Sequence, residues 1–578
     1  MRQKRWLPIV LCTGAAALAI VVYLNALDNP FAWDDRRTIV ENTSIRPPLD
    51  LRALVYHDLF RPLVNFTYAA NFALGGLSVT GYHAANLLLH ALNVVLLFVF
   101  TRRTFAAWRS TGTVSASGRR VSDTPRSGSA NAAAFAAAAI FAVHPMLTQA
   151  VGYVSGRAEV LCAAFFLSAC LAAQGWIERR GRGRLVLFAV SWLLALASKE
   201  VAIALPLVLA AYAVFEPDLD AAARRRMAYL VTVMLGLMAG VGAYRLTTLV
   251  TVENAGQTRL IGGNVLVGLD MVRQYTRLMV VPLGQSIFHS TGYNEVTSAG
   301  RVALNVLWLA GLCALAWRSR RWEPLIGFGV AWFLLLLMPS SFLLLLDIGE
   351  PMAEQRVYLA ACGFAAACGA LHGRLVCWAR TRRLALVAMP AGLALLALLT
   401  VGRNNVWGDP VALWSEAVER EPHVWVPYVG LGDVLRERGE YAAAADAYRE
   451  AARLYPERRT YLPLATCLLM TGQLEEADQH FEKADRLWPG SVDAPMGRAL
   501  VARLAGRRDE ARDRLTAVIQ AHPEAVLPRQ FLAEMYEREY GDREAALRIC
   551  REVQAMAPGT PGVAECLSRN GGPAGGGR

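Results

Sequence analysis

Lysine is nearly missing from this chain. Only Lys4, Lys199 and Lys483 occur in 578 residues, and arginine carries almost all other positive charge. Cysteine pairing signals are missing as well. Ten cysteines stand singly, most of them inside apolar runs (Cys12, Cys162, Cys170, Cys313, Cys362, Cys368). No CxxC or finger spacing occurs, which argues against both a zinc site and a disulfide framework. The net charge of +12 lacks a compact basic face interleaved with aromatics, so nucleic acid is not an expected partner. Long apolar runs stop near residue 405, and that absence divides the chain in two.

What precedes the division is oily. Over the whole chain 55% of residues are apolar and the mean hydropathy is +0.31, too high for a soluble protein of this length. A membrane span needs about 20 apolar residues. Candidate stretches are 7–27, 84–101, 132–152, 158–177, 184–198, 200–215, 227–247, 302–317, 324–346, 356–376 and 384–402. The run opening after Met1–Arg5 is long for a signal peptide, and Leu11-Cys12 is a poor lipoprotein context, so it reads as an uncleaved anchor. The stretch 262–283 is broken by Asp270, Arg273, Arg277 and Pro282. Arginine-rich connections at 102–126, 179–184, 224–226, 318–321 and 374–383 fall on the cytoplasmic side together only if 262–283 does not cross. The expectation is therefore an all-α polytopic bundle over 1–405 with about eleven crossings, the N-terminus inside and the C-terminal half outside. The Ser-, Arg-, Gly- and Thr-rich insert 103–130 reads as a disordered cytoplasmic loop.

From about residue 406 to 565 the period changes to near 34, the length of a tetratricopeptide repeat. Gly439, Gly472, Gly506 and Gly541 are 33, 34 and 35 apart, and Pro456, Pro489, Pro523 and Pro558 keep the same rhythm. Tyr428, Leu431, Gly432, Tyr441, Ala444, Tyr448, Ala451 and Pro456 fill the first repeat, and the third and fourth are degenerate. An α-solenoid follows the bundle, led in by a half-repeat at Leu413–Pro422. Residues 566–578 read as a flexible tail. By itself this half is an adaptor surface.

The orientation collects the polar constellations on one face. Asp34-Asp35 follows an aromatic segment just past the first span. A carboxylate held there can accept a proton from a hydroxyl nucleophile, while a solvated loop pair is the plain alternative. His83, Asn86, His90 and Asn93, spaced 3, 4 and 3, share one helix face. They are either glue between helices or, at His83 nearest the surface, part of a site. Arg157 and Lys199 suit a lipid phosphate. Lys199 stands out because arginine is used almost everywhere else, and its plain alternative is snorkelling or pairing with Glu200. Arg356, in Glu354-Gln355-Arg356-Val357-Tyr358, suits phosphate or sugar unless it pairs with Glu354.

Several of these segments, in order, resemble the transmembrane and tetratricopeptide repeat-containing O-mannosyltransferases and their bacterial relatives. They are Trp33-Asp34-Asp35, Phe60-Arg61-Pro62-Leu63, Gly81-Tyr82-His83 with Asn86–His90, His144-Pro145, Ser155-Gly156-Arg157, Ser198-Lys199-Glu200 and Ala353–Leu359. The resemblance covers almost the whole chain. It implies a glycosyltransferase C-type fold and an inverting transfer of a sugar from a polyprenyl-phosphate donor. It places Asp34 as the catalytic carboxylate with Asp35 assisting. Arg61, His83, Arg157, Lys199, Glu200, Glu354, Arg356 and Tyr358 become candidate substrate-binding residues. A divalent cation, Mg or Mn, stays open as a cofactor. The family pattern departs at Leu147-Thr148-Gln149, where a His and an acid are missing, and at Gln355, where bacterial relatives often have His.

The resulting expectation is a bacterial inner-membrane glycosyltransferase that moves mannose or a related sugar onto Ser/Thr of exported proteins, with the repeats recruiting the acceptor or a partner. The rival from another class is a non-catalytic envelope scaffold, which needs one anchoring span rather than eleven. A transporter is disfavoured by the lack of an inverted repeat of spans.

Overall fold

A computed structural model describes residues 3–59, 61–110, 127–217, 219–248, 264–290, 296–345 and 352–571. Most of the expected loop 103–130 and residues 572–578 of the expected tail lie outside them. Among the described residues the elements are helices, with a lone bridge between His289 and Met352. The chain separates into two compact units, Met1–Leu413 and Trp414–Arg578, a few residues beyond the sequence boundary at 405.

The apolar stretches fall on helical segments of the first unit, 132–152 across the break between Ser127–Val143 and Thr148–Val151. Six helices are long and apolar enough to cross a bilayer: Trp6–Ala26, Val79–Trp108, Val154–Arg179, Ala299–Ser319, Glu354–Cys377 and Ala379–Trp407. A seventh span arises if Gly128–Val143 and Pro145–Val151, bent by 57° at the His144 break, are counted together. Glu200–Phe215 and Pro324–Ser340 are apolar but shorter. The interrupted stretch forms the helix Asn264–Val280. Its Asp270 is buried and accepts from Arg273 at 2.7 Å, Arg301 at 2.9 Å and Asn305 at 3.0 Å.

Small residues set the closest helix crossings. Gly329 on Pro324–Leu345 and Gly363 on Tyr358–Cys377 face each other so tightly that a Cβ on either would strike the other's carbonyl oxygen. Gly369 meets Ala133 and Ala137 of Ser127–Val143 in the same way. In a membrane, where burial from water cannot drive helices together, such close backbone approach supplies the packing. An aromatic cluster fills the centre, with Trp332 against Phe166, Phe100 and Phe328 at centroid distances of 5.4, 5.7 and 5.8 Å.

The polar face on Val79–Ser110 is buried along its length and bonds to neighbouring elements. His83 meets Asn29 O at 2.9 Å, Asn86 donates to Tyr153 O at 3.1 Å, and His90 meets the Tyr358 hydroxyl at 2.7 Å. Asn93 donates to Val160 O at 2.8 Å. This is the arrangement of interhelical glue.

In the second unit, helix pairs run from Trp425–Glu437 with Tyr441–Leu454 to Leu527–Arg538 with Arg543–Met556, closed by Val563–Gly571. Gly439, Gly472, Gly506 and Gly541 turn the chain between partners at φ of +79°, +79°, +76° and +69°, a region other residues rarely adopt. One cysteine expectation is corrected here. Cys550 and Cys566 form a disulfide that ties the closing helix to the last pair. Sixteen residues apart, they match no pairing motif; only the return of one helix onto the next brings them together.

Candidate active site

The loop after the first span is shaped by hydrogen bonds that treat its two aspartates differently. Trp33 adopts φ +45°, an unfavourable conformation for a bulky residue. Beyond it, Asp35 turns inward and is 1% exposed. Its Oδ1 accepts from Ser155 N at 2.7 Å and Ser155 Oγ at 2.5 Å, and its Oδ2 from Ala32 N at 3.0 Å. With Asp35 anchored, Asp34 lines a cavity of about 360 Å³. The Asp34 backbone N–H donates to the Tyr153 hydroxyl at 2.9 Å, and Tyr153 is stacked on Trp407 with centroids 5.4 Å apart. Burial raises the Asp34 carboxyl above its ordinary range, while the positive charges of Arg37 and Arg61 and a hydrogen bond from Tyr153 pull it back. Burial pushes Asp35 up to about 7 against its three donors.

Besides Asp34 the cavity is lined by Arg61, Glu159, Lys199, Glu200 and Arg356. Lys199 bonds to Glu159 rather than to its neighbour Glu200, and Arg61 Nη2 takes Glu200 Oε1 at 3.2 Å. The wall therefore carries two ion pairs, Lys199 with Glu159 and Arg61 with Glu200, together with the guanidinium of Arg356. Burial lowers the local dielectric and strengthens such charges toward an incoming anion.

Asp34, Arg61, Lys199, Glu200 and Arg356 are thus brought together at one cavity, and the other sequence candidates lie away from its lining. Asp35 acts through Ser155. His83 bonds to the Asn29 carbonyl. Arg157 is fully buried, donating to Asn86 Oδ1 at 2.8 Å and Tyr82 O at 2.7 Å and lying over the Tyr68 ring at 4.9 Å. It locks the entry of its helix. Glu354 accepts from His289 Nε2 and Ser286 N, both at 2.8 Å, and so pins the Gln285–His289 loop. Tyr358 is consumed by His90 and Asn93 inside the bundle. Sequence reasoning did not propose Glu159, Tyr153, Gln149 or Gln355 as site residues, although all four line the cavity. Glu159, two residues past Arg157 in a motif already singled out, was within reach. Tyr153 gave no signal.

A divalent cation finds no ready donor set. Both Asp35 oxygens are occupied, and among the described residues no group of three His, Cys, Asp or Glu side chains could hold a metal.

The tetratricopeptide repeat family matches residues 428–458. Protein O-mannosyl-transferase Tmtc1 of Drosophila melanogaster is 32% identical over 203 residues, which cover 33% of this chain and 21% of the fly protein. Protein O-mannosyl-transferase F38B6.6 of Caenorhabditis elegans is 22% identical over 465 residues, 76% of this chain and 62% of the nematode protein. The chain is similar to these O-mannosyl-transferases over part of their length. It spans about a fifth of the fly relative's length. Among solved structures, ArnT from Cupriavidus metallidurans bound to undecaprenyl phosphate aligns over 88% of each chain at 15% identity with a TM-score of 0.38. Against the O-mannosyl-transferase pattern, the two departures noted in the sequence turn out to be neighbours. Gln149 Oε1 accepts from the backbone N–H of Gln355 at 2.9 Å. Two amides, neither of which titrates, thus stand side by side on the cavity wall.

Proposed function

We propose that the chain is a membrane glycosyltransferase that moves mannose or a related sugar from a polyprenyl phosphate to Ser/Thr hydroxyls of exported proteins, on the extracytoplasmic face of a bacterial inner membrane. The single observation that carries this reading is the cavity that Asp34 lines together with the cations Arg61, Lys199 and Arg356. Asp34 takes the proton of the acceptor hydroxyl as its oxygen attacks the anomeric carbon. The bond from that carbon to the phosphate oxygen breaks, and the lipid phosphate leaves with the electron pair. Arginine and lysine side chains stabilise the charge that grows on it. One in-line displacement inverts the anomeric centre. The repeats, whose architecture commonly presents a binding surface, hold the acceptor or a partner.

The loops that charge bias puts outside supply the cavity: the Asp34 loop, Arg61, the turn before Arg157, Lys199-Glu200, the segment after Pro282 and the residues around Gln355. That convergence supports the assigned orientation. In membranes supplied with a polyprenyl-phosphate sugar, Asp34→Asn is expected to lower transfer by about 10²–10⁴-fold while leaving expression intact. Undiminished transfer in that variant removes Asp34 as the base and with it this reading; a wild-type protein inert toward every such donor favours the scaffold.

A further inference from the structure

The helix Arg157–Arg179 runs from the cavity to a second concavity, of about 410 Å³, lined by Trp176, Arg180, Arg225, Arg226 and Tyr229. Its 23 residues span about 34 Å at 1.5 Å each, close to the hydrocarbon thickness of about 30 Å. The groove therefore belongs to the membrane interface opposite the candidate active site. Tryptophan and tyrosine are the residues that settle at such interfaces, and Tyr229 is 68% exposed.

Among the described residues no carboxylate pairs with these three arginines. Arg226 Nη2 donates to Ile177 O at 2.6 Å and Arg225 Nε to Ala221 O at 3.3 Å, while Arg226 Nε is buried without a partner. Two acids close in sequence to these arginines are engaged elsewhere. Glu178 pairs with Arg103 at 3.2 Å, and Asp220 caps the next helix by accepting from Ala223 N at 2.6 Å. That helix, Ala221–Thr248, opens with Arg224-Arg225-Arg226. Its macrodipole is positive at this end and disfavours cations there unless an anion is present. Serving as an orientation signal requires only charge; it does not require a groove, aromatic walls or a guanidinium nitrogen withheld from water.

We propose that this groove holds the phosphate of an anionic phospholipid headgroup from the leaflet it faces. The guanidinium groups of Arg180, Arg225 and Arg226 bond the phosphate oxygens, and Trp176 and Tyr229 flank the glycerol region. The site is independent of the sugar-transfer reading and shares no residue with that cavity.

The test is lipid retention by the purified full-length protein, read by native mass spectrometry after exchange from mixed phosphatidylglycerol and phosphatidylcholine. The wild type is expected to retain phosphatidylglycerol preferentially, and each Arg→Gln change at 180, 225 or 226 to lower retention on the order of fivefold. Arg224→Gln, an exposed neighbour outside the lining, is expected to leave retention unchanged. Should the variant at the partly buried Arg226 fail to accumulate, Arg225→Gln, at an exposed position, carries the same expectation. Equal loss from Arg224→Gln and Arg225→Gln would reduce the groove to unspecific charge and overturn the proposal. Displacement of the lipid by millimolar inorganic phosphate would also overturn it, by assigning the site to a soluble anion.

Discussion

Burial and hydrogen bonding pull the Asp35 proton in opposite directions. Loss of water favours the neutral acid, while Ser155 N, Ser155 Oγ and Ala32 N favour the carboxylate; burial prevails and the group titrates near 7. The folded value lies above the ordinary 3.8, so between these limits the native state holds a proton that the unfolded chain has lost. Stability must then fall as pH rises from about 4 to about 7 and level off beyond. Thermal denaturation of the detergent-solubilised chain at about pH 4.5 and about pH 7.5 checks this. The wild type is expected to lose more stability across the interval than Asp35→Asn, and identical pH slopes would remove Asp35 as the source. Asp34 differs because Arg37 and Arg61 bear on it and because it lines the cavity. The adjacent acids were legible in sequence as a candidate pair, but their division of labour was not. It depends on Ser155, 120 residues away, and on a positive φ at Trp33 that no motif announces. Arg157 illustrates the same limit. Its charge near a span end suggested phosphate, whereas Asn71, Asn86 and Tyr82 consume its donors inside the fold.

At the scale of helices, the apolar stretches and the 34-residue rhythm were legible because both are periodic and local. Which helix touches which was not, because contacts between small residues leave no periodic mark. Gly329 and Gly363 show the consequence. Each lacks the side chain that would separate Pro324–Leu345 from Tyr358–Cys377, and Trp332 packs beside the crossing. A methyl at Gly363 would overlap the Gly329 carbonyl and the Trp332 side chain, so the helices must move apart or shift register. Overpacking of this kind typically costs about 1–3 kcal/mol. Gly363→Ala is therefore expected to lower the denaturation midpoint of the solubilised protein, and Gly363→Leu to lower it further or prevent accumulation. Gly311, whose added Cβ would meet nothing within 4 Å, is the control, and its alanine variant is expected to melt as the wild type does. Equal midpoints for Gly363→Ala and Gly311→Ala would mean that the crossing is looser than these contacts require.

The whole molecule poses a question of compartment, and the Cys550–Cys566 disulfide bears on it. Disulfides persist in oxidising surroundings and are rare where thiol reductants dominate. The arginine distribution of the first unit makes the outer side the expectation for the C-terminal unit. A bridged cysteine pair in that unit, using residues that played no part in the charge argument, favours the same compartment. The bridge closes a segment with a sequence separation of 16 residues, for which the chain-entropy account gives about 3 kcal/mol. Maleimide added to freshly lysed, unreduced cells is expected to leave Cys550 and Cys566 unmodified and to label both once reductant is present. A reporter fused after residue 35 is expected to give the extracytoplasmic signal, as is one fused after residue 450. Double replacement by serine should then loosen the closing helix Val563–Gly571 first, visible as faster amide exchange there than in Tyr441–Leu454. Free thiols at both positions in unreduced cells, together with reporters on opposite sides, would place the repeats in the cytoplasm. They would then be separated by the bilayer from the Asp34 cavity, and could not present an acceptor hydroxyl to it.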